Sequence, residues 1–229
     1  MTQAEGVGLL RDLRAWLFNG YVHRSYSQEG EDMILRRLFD GRRVGFYVDV
    51  GAYHPMRFSN TYFFYRLGWR GINIEPNPDA VRAFRLFRRR DVHVQAGVSD
   101  AAGEMPYWCF DEPALNTFDE QLMREYAKGA RYRVVETRTV PVDRLDSILR
   151  RHLPEKQGID LMSIDAEGRD LQVLRSNDWD RFRPACLLVE ALGSREQGAT
   201  DHPVGSFMRD AGYRMVARTL NTLVYEDAS

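Results

Sequence analysis

From Gly45 onward the chain alternates between two kinds of segment, and this pattern limits its folds more than any other feature. Short apolar, β-rich runs (GFYVDVGA, GINIEP, VHVQAGVS, IDLMSIDAEG, ACLLVEAL) are separated by segments with helical spacing, among them SNTYFFYRLG, DAVRAFRLFRRR, VDRLDSILRRHL and DLQVLRSNDW. Strands that alternate with helices pair in parallel, with the helices covering both faces of the sheet. The end of the chain breaks the pattern. YRMVARTLNTLVYED holds two strands with too few residues between them for a crossover helix, so these two must be antiparallel. The expectation is an α/β fold: a Rossmann-like, doubly wound sheet, mostly parallel, closed by a C-terminal antiparallel hairpin. At 229 residues one domain over 1–229 suffices. Within it, 1–40 reads as an N-terminal helical segment and 105–139 as an irregular insertion on the substrate side.

Charge excludes some partners. The 32 basic and 33 acidic residues nearly cancel, so no overall field gathers nucleic acid or an anionic membrane. The basic stretch RAFRLFRRR reads as a helix with a buried stripe, Val81, Phe84 and Phe87, and a solvated face carrying Arg82, Arg85, Arg88 and Arg89. Cys109 and Cys186 show no metal or redox spacing and are expected to be reduced core residues. No apolar run approaches about 20 residues, and no signal-peptide pattern is present. A cytoplasmic protein without stable membrane insertion is expected, with room for a homo-oligomer and a small-molecule or carbohydrate partner. Leu10, Leu13, Trp16 and Leu17 fall at helical spacing and predict a helix packed on the domain.

In open parallel sheets, ligands bind beyond the carboxyl ends of the strands. The first strand ends at Asp49-Val50-Gly51-Ala52 and the second at Glu75, 26 positions after Asp49. A carboxylate at the second strand end is placed to accept both hydroxyls of a ribose. A dinucleotide site would need G-x-G-x-x-G so that bare backbone can meet a pyrophosphate. Here only Gly51 is present, followed by Ala52-Tyr53-His54-Pro55, which disfavours a nicotinamide-dependent oxidoreductase. A ligand with a ribose but no diphosphate fits better, and S-adenosylmethionine is such a ligand. Gly51 would allow its close approach, and Asp49 could orient its amino end.

The segments YSQEGEDMIL, FYVDVGAYHP, RFSNTYFFYRLGWRGINIEPNP, GVSDAAG, VPVDRLDSIL and LMSIDAEGRDLQVLRSNDW together resemble the FkbM family of S-adenosylmethionine-dependent methyltransferases, from about Ser25 to Glu190. The resemblance implies a class I methyltransferase fold and O-methylation of hydroxyls on sugars, polysaccharides or polyketide-type natural products. It also implies a cofactor site: Asp49, Gly51 and Ala52 at the methionine end, Glu75, Pro76 and Asn77 at the ribose, Val98 and Ser99, ending the third strand, at the adenine, and Asp165 as a further cofactor contact. Gln28 and the Ser59-Asn60-Thr61 turn could reach the carboxylate or ribose, although a helix cap explains Ser59 and Asn60 equally well.

Methyl transfer from a sulfonium is an in-line displacement, so the chain must align an acceptor and remove its proton. The fourth strand ends in Asp165 and Glu167, the fifth in Glu190. Two mechanisms stay open. Asp165 or His54 acts as general base, or Asp165 and Glu190, with Glu167 as a further candidate, hold magnesium. The alternative reading for Glu167 is stabilisation of a helix first turn. Tyr107, Trp108, Phe110 and Phe118 could stack on an acceptor or belong to the core. A non-catalytic adenosine-ligand binding module is the remaining alternative.

Overall fold

The structure is a computed structural model that describes residues 22–129, 131–194, 198–199 and 201–228. The helix expected over Leu10 to Leu17 lies outside the described residues. Seven strands form the main sheet in the order β3-β2-β1-β7-β8-β10-β9. These are β1 (Phe46–Val50), β2 (Arg70–Ile74), β3 (Val92–Val94), β7 (Leu161–Ile164), β8 (Cys186–Glu190), β9 (Tyr213–Arg218) and β10 (Thr222–Asp227). The first five of them pair in parallel, and β10 runs antiparallel to both β8 and β9. This is the mostly parallel sheet with a C-terminal antiparallel hairpin that the sequence pattern predicts. After β3 the chain crosses back to the other side of β1, which puts the switch in strand order between β1 and β7.

Strand periodicity sorts the core into two layers. Phe46, Val48 and Val50 of β1 face helices α5 (Leu145–His152), α6 (Asp170–Arg175) and α7 (Pro203–Asp210), through residues such as Ile148, Val173 and Met208. Tyr47 faces the opposite layer, with Leu35 of α1 (Glu31–Leu38), Phe64 of α2 (Tyr62–Leu67) and Trp69. Cys109 and Cys186 are both free and buried, as expected. Among the described residues no helix is long and apolar enough to cross a membrane.

Two expectations change. The run VHVQAGVS is not one strand: β3 stops at Val94, and β4 (Gly97–Val98) joins a second sheet of order β4-β6-β5. Gly97 makes the departure possible, because a Cβ there would lie 2.6 Å from the Phe118 ring. The segment 105–139 is also more regular than expected. Strands β5 (Gly103–Phe110) and β6 (Val134–Asp143) form a long antiparallel pair, with a short 3-10 turn (Pro113–Leu115) and α4 (Glu120–Ala127) between them. Most of β6 is exposed or only half-buried, so it lacks the apolar alternation that marks a strand in sequence.

Arg88 is a third correction. Helix α3 (Pro78–Phe87) buries Val81 and Phe84 and exposes Arg82 and Arg85, as its period dictates. It ends at Phe87, so the helical period no longer governs Arg88, whose side chain turns inward and is 0% exposed, while Phe87 is 50% exposed. The guanidinium donates to Pro55 O (2.8 Å), Ser59 Oγ (2.6 Å), Thr61 Oγ1 (2.7 Å) and Asn73 Oδ1 (3.3 Å). Thr61 in turn donates to Asp49 Oδ2 at 2.5 Å. Leaving buried acids without their cation costs about 3–5 kcal/mol. Arg88→Met is therefore expected to lower unfolding free energy by about that amount in urea titration, with Arg88→Lys recovering only part because it lacks the planar fork.

Candidate active site

The first turn after β1 is shaped by its neighbour across the switch point. Gly51 adopts φ +73°, and a Cβ at this position would lie 1.7 Å from the backbone carbonyl oxygen of Asp165, so no side chain fits. The next residues fold into a wall instead of a phosphate cradle. Tyr53 N and Asn77 N each donate to the Glu75 carboxylate at 2.8 Å. His54 Nδ1 accepts from Met56 N (3.0 Å) and Arg57 N (2.9 Å), closing a tight loop. The Tyr53 ring stacks on Phe58, and the Arg57 guanidinium lies 4.3 Å from the centre of the Phe58 ring.

Behind this wall lies a cleft with about 790 Å³ of empty space at the carboxyl ends of the strands. Of the residues singled out in the sequence, it gathers Gln28, Gly51, Glu75, Pro76, Asn77, Val98, Asp165 and Glu167. Asp49, Ala52, Ser99, His54, Asn60 and Glu190 stand outside its lining. Asp49 points to the opposite face of the sheet, toward Thr61 and Arg88. Ala52 is buried in the turn. Ser99 is held against β6 through its backbone N–H to Asp143 O (3.0 Å). His54 is occupied by its own loop, as above. Asn60 lines a neighbouring cleft and donates to Ser163 Oγ at 3.0 Å. Asn77 also caps α3, accepting from Asp79 N at 3.0 Å. Burial pushes the Glu75 carboxyl up to about 7, against the opposing pull of its two backbone hydrogen bonds.

The strand ends of β7 and β8 carry a dense set of acids. One carboxylate oxygen from each of Asp165, Asp170 and Glu190 falls within 4.8 Å of the others. Asp165 and Glu190 hydrogen-bond to each other, which two carboxyl groups can do only by sharing a proton. Asp165 Oδ1 and Glu190 Oε2 are buried without a partner. Burial raises Asp165 to about 6 and Asp170 to about 8, and drives Glu190 well above the usual carboxylate range. Glu167 is turned elsewhere: it sits at φ +46° and accepts from Tyr126 Oη of α4 at 3.1 Å, while its carbonyl accepts from Thr117 Oγ1 at 2.8 Å.

Tyr107 and Phe118, which the sequence offers as acceptor-stacking or core residues, reach the cleft from the small sheet and its connecting loop. Asn116 beside them escaped the sequence reading. Asp170 joins the acids although its position reads as an ordinary acidic first turn. Its spacing in the run DAEGRD, five positions after Asp165, is the one signal that could have found it.

The family model described as the methyltransferase FkbM domain matches residues 49–215. Solved structures with similar folds include precorrin 8W decarboxylase from Methanobacterium thermoautotrophicum, 12% identical over 89% of this chain and 92% of that one, with a TM-score of 0.44. A TehB-like SAM-dependent methyltransferase from Corynebacterium glutamicum is 11% identical over 99% of this chain and 100% of that one, with a TM-score of 0.38. No curated protein matches the chain.

Gly51→Ala must both enter the left-handed region and displace the Asp165 carbonyl. It is expected to cost at least about 1–3 kcal/mol from backbone strain alone, measured by chemical denaturation.

Proposed function

Since the chain belongs to the FkbM methyltransferase domain family, we propose that it moves the methyl group of S-adenosylmethionine to a hydroxyl of a sugar, polysaccharide or sugar-bearing or polyketide-type natural product. The observation that carries this reading is the convergence of Glu75, Gly51 and Asp165 on one cleft at the switch point, with Tyr53 N–H donating to the Glu75 carboxylate. Glu75 accepts the ribose hydroxyls. Pro76, Asn77 and Val98, with Tyr107 and Phe118 opposite, enclose the adenine. Gly51 and Gln28 border the methionine, and the methyl group then lies near Asp165. Asp49 acts beneath the cleft, holding Thr61, instead of touching the cofactor.

The acceptor oxygen attacks the methyl carbon as the carbon–sulfur bond breaks. Its electron pair stays on sulfur, leaving S-adenosylhomocysteine, and the hydroxyl proton passes to Asp165. A carboxylate raised to about 6 and paired with Glu190 is largely ionised at neutral pH and is a stronger base than an ordinary aspartate. His54 is a poor candidate for this step, because its Nδ1 is already engaged by two backbone N–H groups.

One observation favours a second reading of the same acids. Asp165, Asp170 and Glu190 present hard oxygen donors close together, two of them unpartnered, which fits a divalent ion such as magnesium. Such an ion would supply Lewis-acid activation of the acceptor hydroxyl. Glu167, engaged by Tyr126, is not part of that donor set.

Three measurements test the proposal. Calorimetry should show binding of S-adenosylhomocysteine but not NADH, with Glu75→Ala weakening the former at least about tenfold. Asp165→Asn should keep that affinity while lowering turnover by about 10²–10⁴-fold in an acceptor assay. Loss of activity on chelation, restored by magnesium, would select the second reading.

The Glu75 carboxyl gives a pH signature. Its raised value means that the free protein holds an extra proton between the ordinary value of 4.5 and about 7, so Glu75 makes the free fold less stable as pH rises through that window. Ribose hydroxyls donate best to the charged carboxylate, so affinity for S-adenosylhomocysteine should rise with pH toward about 7. Binding should release a proton, measured by calorimetry in buffers of different ionisation enthalpy. Asp165 titrates in the same cleft, and Glu75→Gln isolates the contribution of Glu75 by removing it.

A further inference from the structure

A second cleft, with about 320 Å³ of empty space, meets the first at Asp165, Gln28 and Phe58. We propose that it is the acceptor subsite, and that it takes a polyhydroxylated acceptor carrying a protonated amine. The inference rests on the methyltransferase reading, which puts the reactive methyl group beside Asp165.

Charge is the first argument. Glu29, Glu31, Asp165 and Glu190 all line this cleft, and no Lys, Arg or His is among the described residues that do. Glu29 and Glu31 hold its walls in place. Glu29 Oε2 accepts from Leu220 N (2.8 Å) and Asn221 N (3.1 Å), and Glu31 Oε1 accepts from the hydroxyls of Thr219 (3.4 Å) and Thr222 (3.2 Å). Together they tie the segment before α1 to the turn between β9 and β10. Carboxylates gathered in a recess without a basic side chain favour a cationic ligand and repel an anionic one.

The unfilled valences are the second, independent argument. Asp165 Oδ1 and Glu190 Oε2 are buried and lack donors, and both residues line the cleft. Each needs a hydrogen-bond donor, which an ammonium supplies threefold and a hydroxyl once. Phe58 is the one aromatic side chain among the described lining residues, so a flat aromatic acceptor would find little apolar wall. The same arrangement selects oxygen over nitrogen for methylation. A protonated amine that takes the place of the proton shared by Asp165 and Glu190 has no free electron pair, whereas the neighbouring hydroxyl can attack the methyl carbon and give its proton to Asp165.

The test uses the full chain saturated with S-adenosylhomocysteine, in metal-free buffer with chelator, titrated with glucosamine, glucose and glucuronate and followed by NMR. Glucosamine should bind at least about tenfold more tightly than glucose, and glucuronate not detectably. Glu190→Gln should erase the preference for glucosamine while leaving affinity for S-adenosylhomocysteine within about twofold. Asn221→Asp, which adds a carboxylate at the lining, should strengthen glucosamine binding severalfold and keeps the test decisive if the first variant misfolds. Equal binding of the three sugars, binding of none, or a preference untouched by both variants would overturn the inference. Failure of the folded wild type to bind S-adenosylhomocysteine would instead overturn the methyltransferase reading beneath it.

Discussion

A single buried guanidinium ties together the pieces that shape the cleft. Arg88 reaches from the end of α3 to the Pro55 carbonyl, to the hydroxyls of Ser59 and Thr61 at the start of α2, and to Asn73 on β2. Those contacts pin the loop after β1 against the neighbouring strand. The same loop places Tyr53 N on the Glu75 carboxylate, so the wall of the cleft inherits its position from Arg88. The rings of Tyr47, Tyr62, Tyr65 and Phe84 surround the guanidinium at 5.3–5.9 Å, favourable for a cation removed from water.

The buried acids divide into two groups by what balances them. Asp49 and Asp91 sit below the sheet's carboxyl edge, where Arg88 and donors from Thr61, Tyr47 and Asn73 work against burial, although burial still raises both. Glu75, Asp165, Asp170 and Glu190 lie at the edge itself with no cation in hydrogen-bond contact among the described residues, and burial raises all four. Uncompensated acids in a concave site are what ligand binding can relieve, and strongly displaced protonation of this kind concentrates at functional sites. The first group holds the architecture, and the second lies at the clefts beyond the strand ends.

Local signals made the sheet legible in the sequence. The apolar runs of β1, β7 and β8 are buried on both faces, so they stand out as continuous strands, and the short link between β9 and β10 forces them antiparallel. Gly51 and Glu75 were legible as cleft residues because the carboxyl ends of the strands in such a sheet open into a crevice. The rest depended on contacts that local pattern does not encode. Arg88 looked like one more solvated arginine because nothing in RAFRLFRRR announces that the helix stops one residue before it. Val98 and Ser99 seemed to continue the third strand, whereas the bend at Gly97 is set by Phe118, some 20 positions away. Asn116 comes from a turn between strands with mostly exposed residues, where apolar periodicity is weakest. Asp49 stood at the right place in the chain but faces the wrong side of the sheet, a consequence of the two-residue period of the strand.

A crystal structure of the chain with S-adenosylhomocysteine tests the central claim most directly. The account predicts both ribose hydroxyls within about 2.5–3.0 Å of the Glu75 carboxylate, the sulfur near Asp165, and the adenine between Val98 and Tyr107. A ligand seated elsewhere, or a ribose turned away from Glu75, would contradict it.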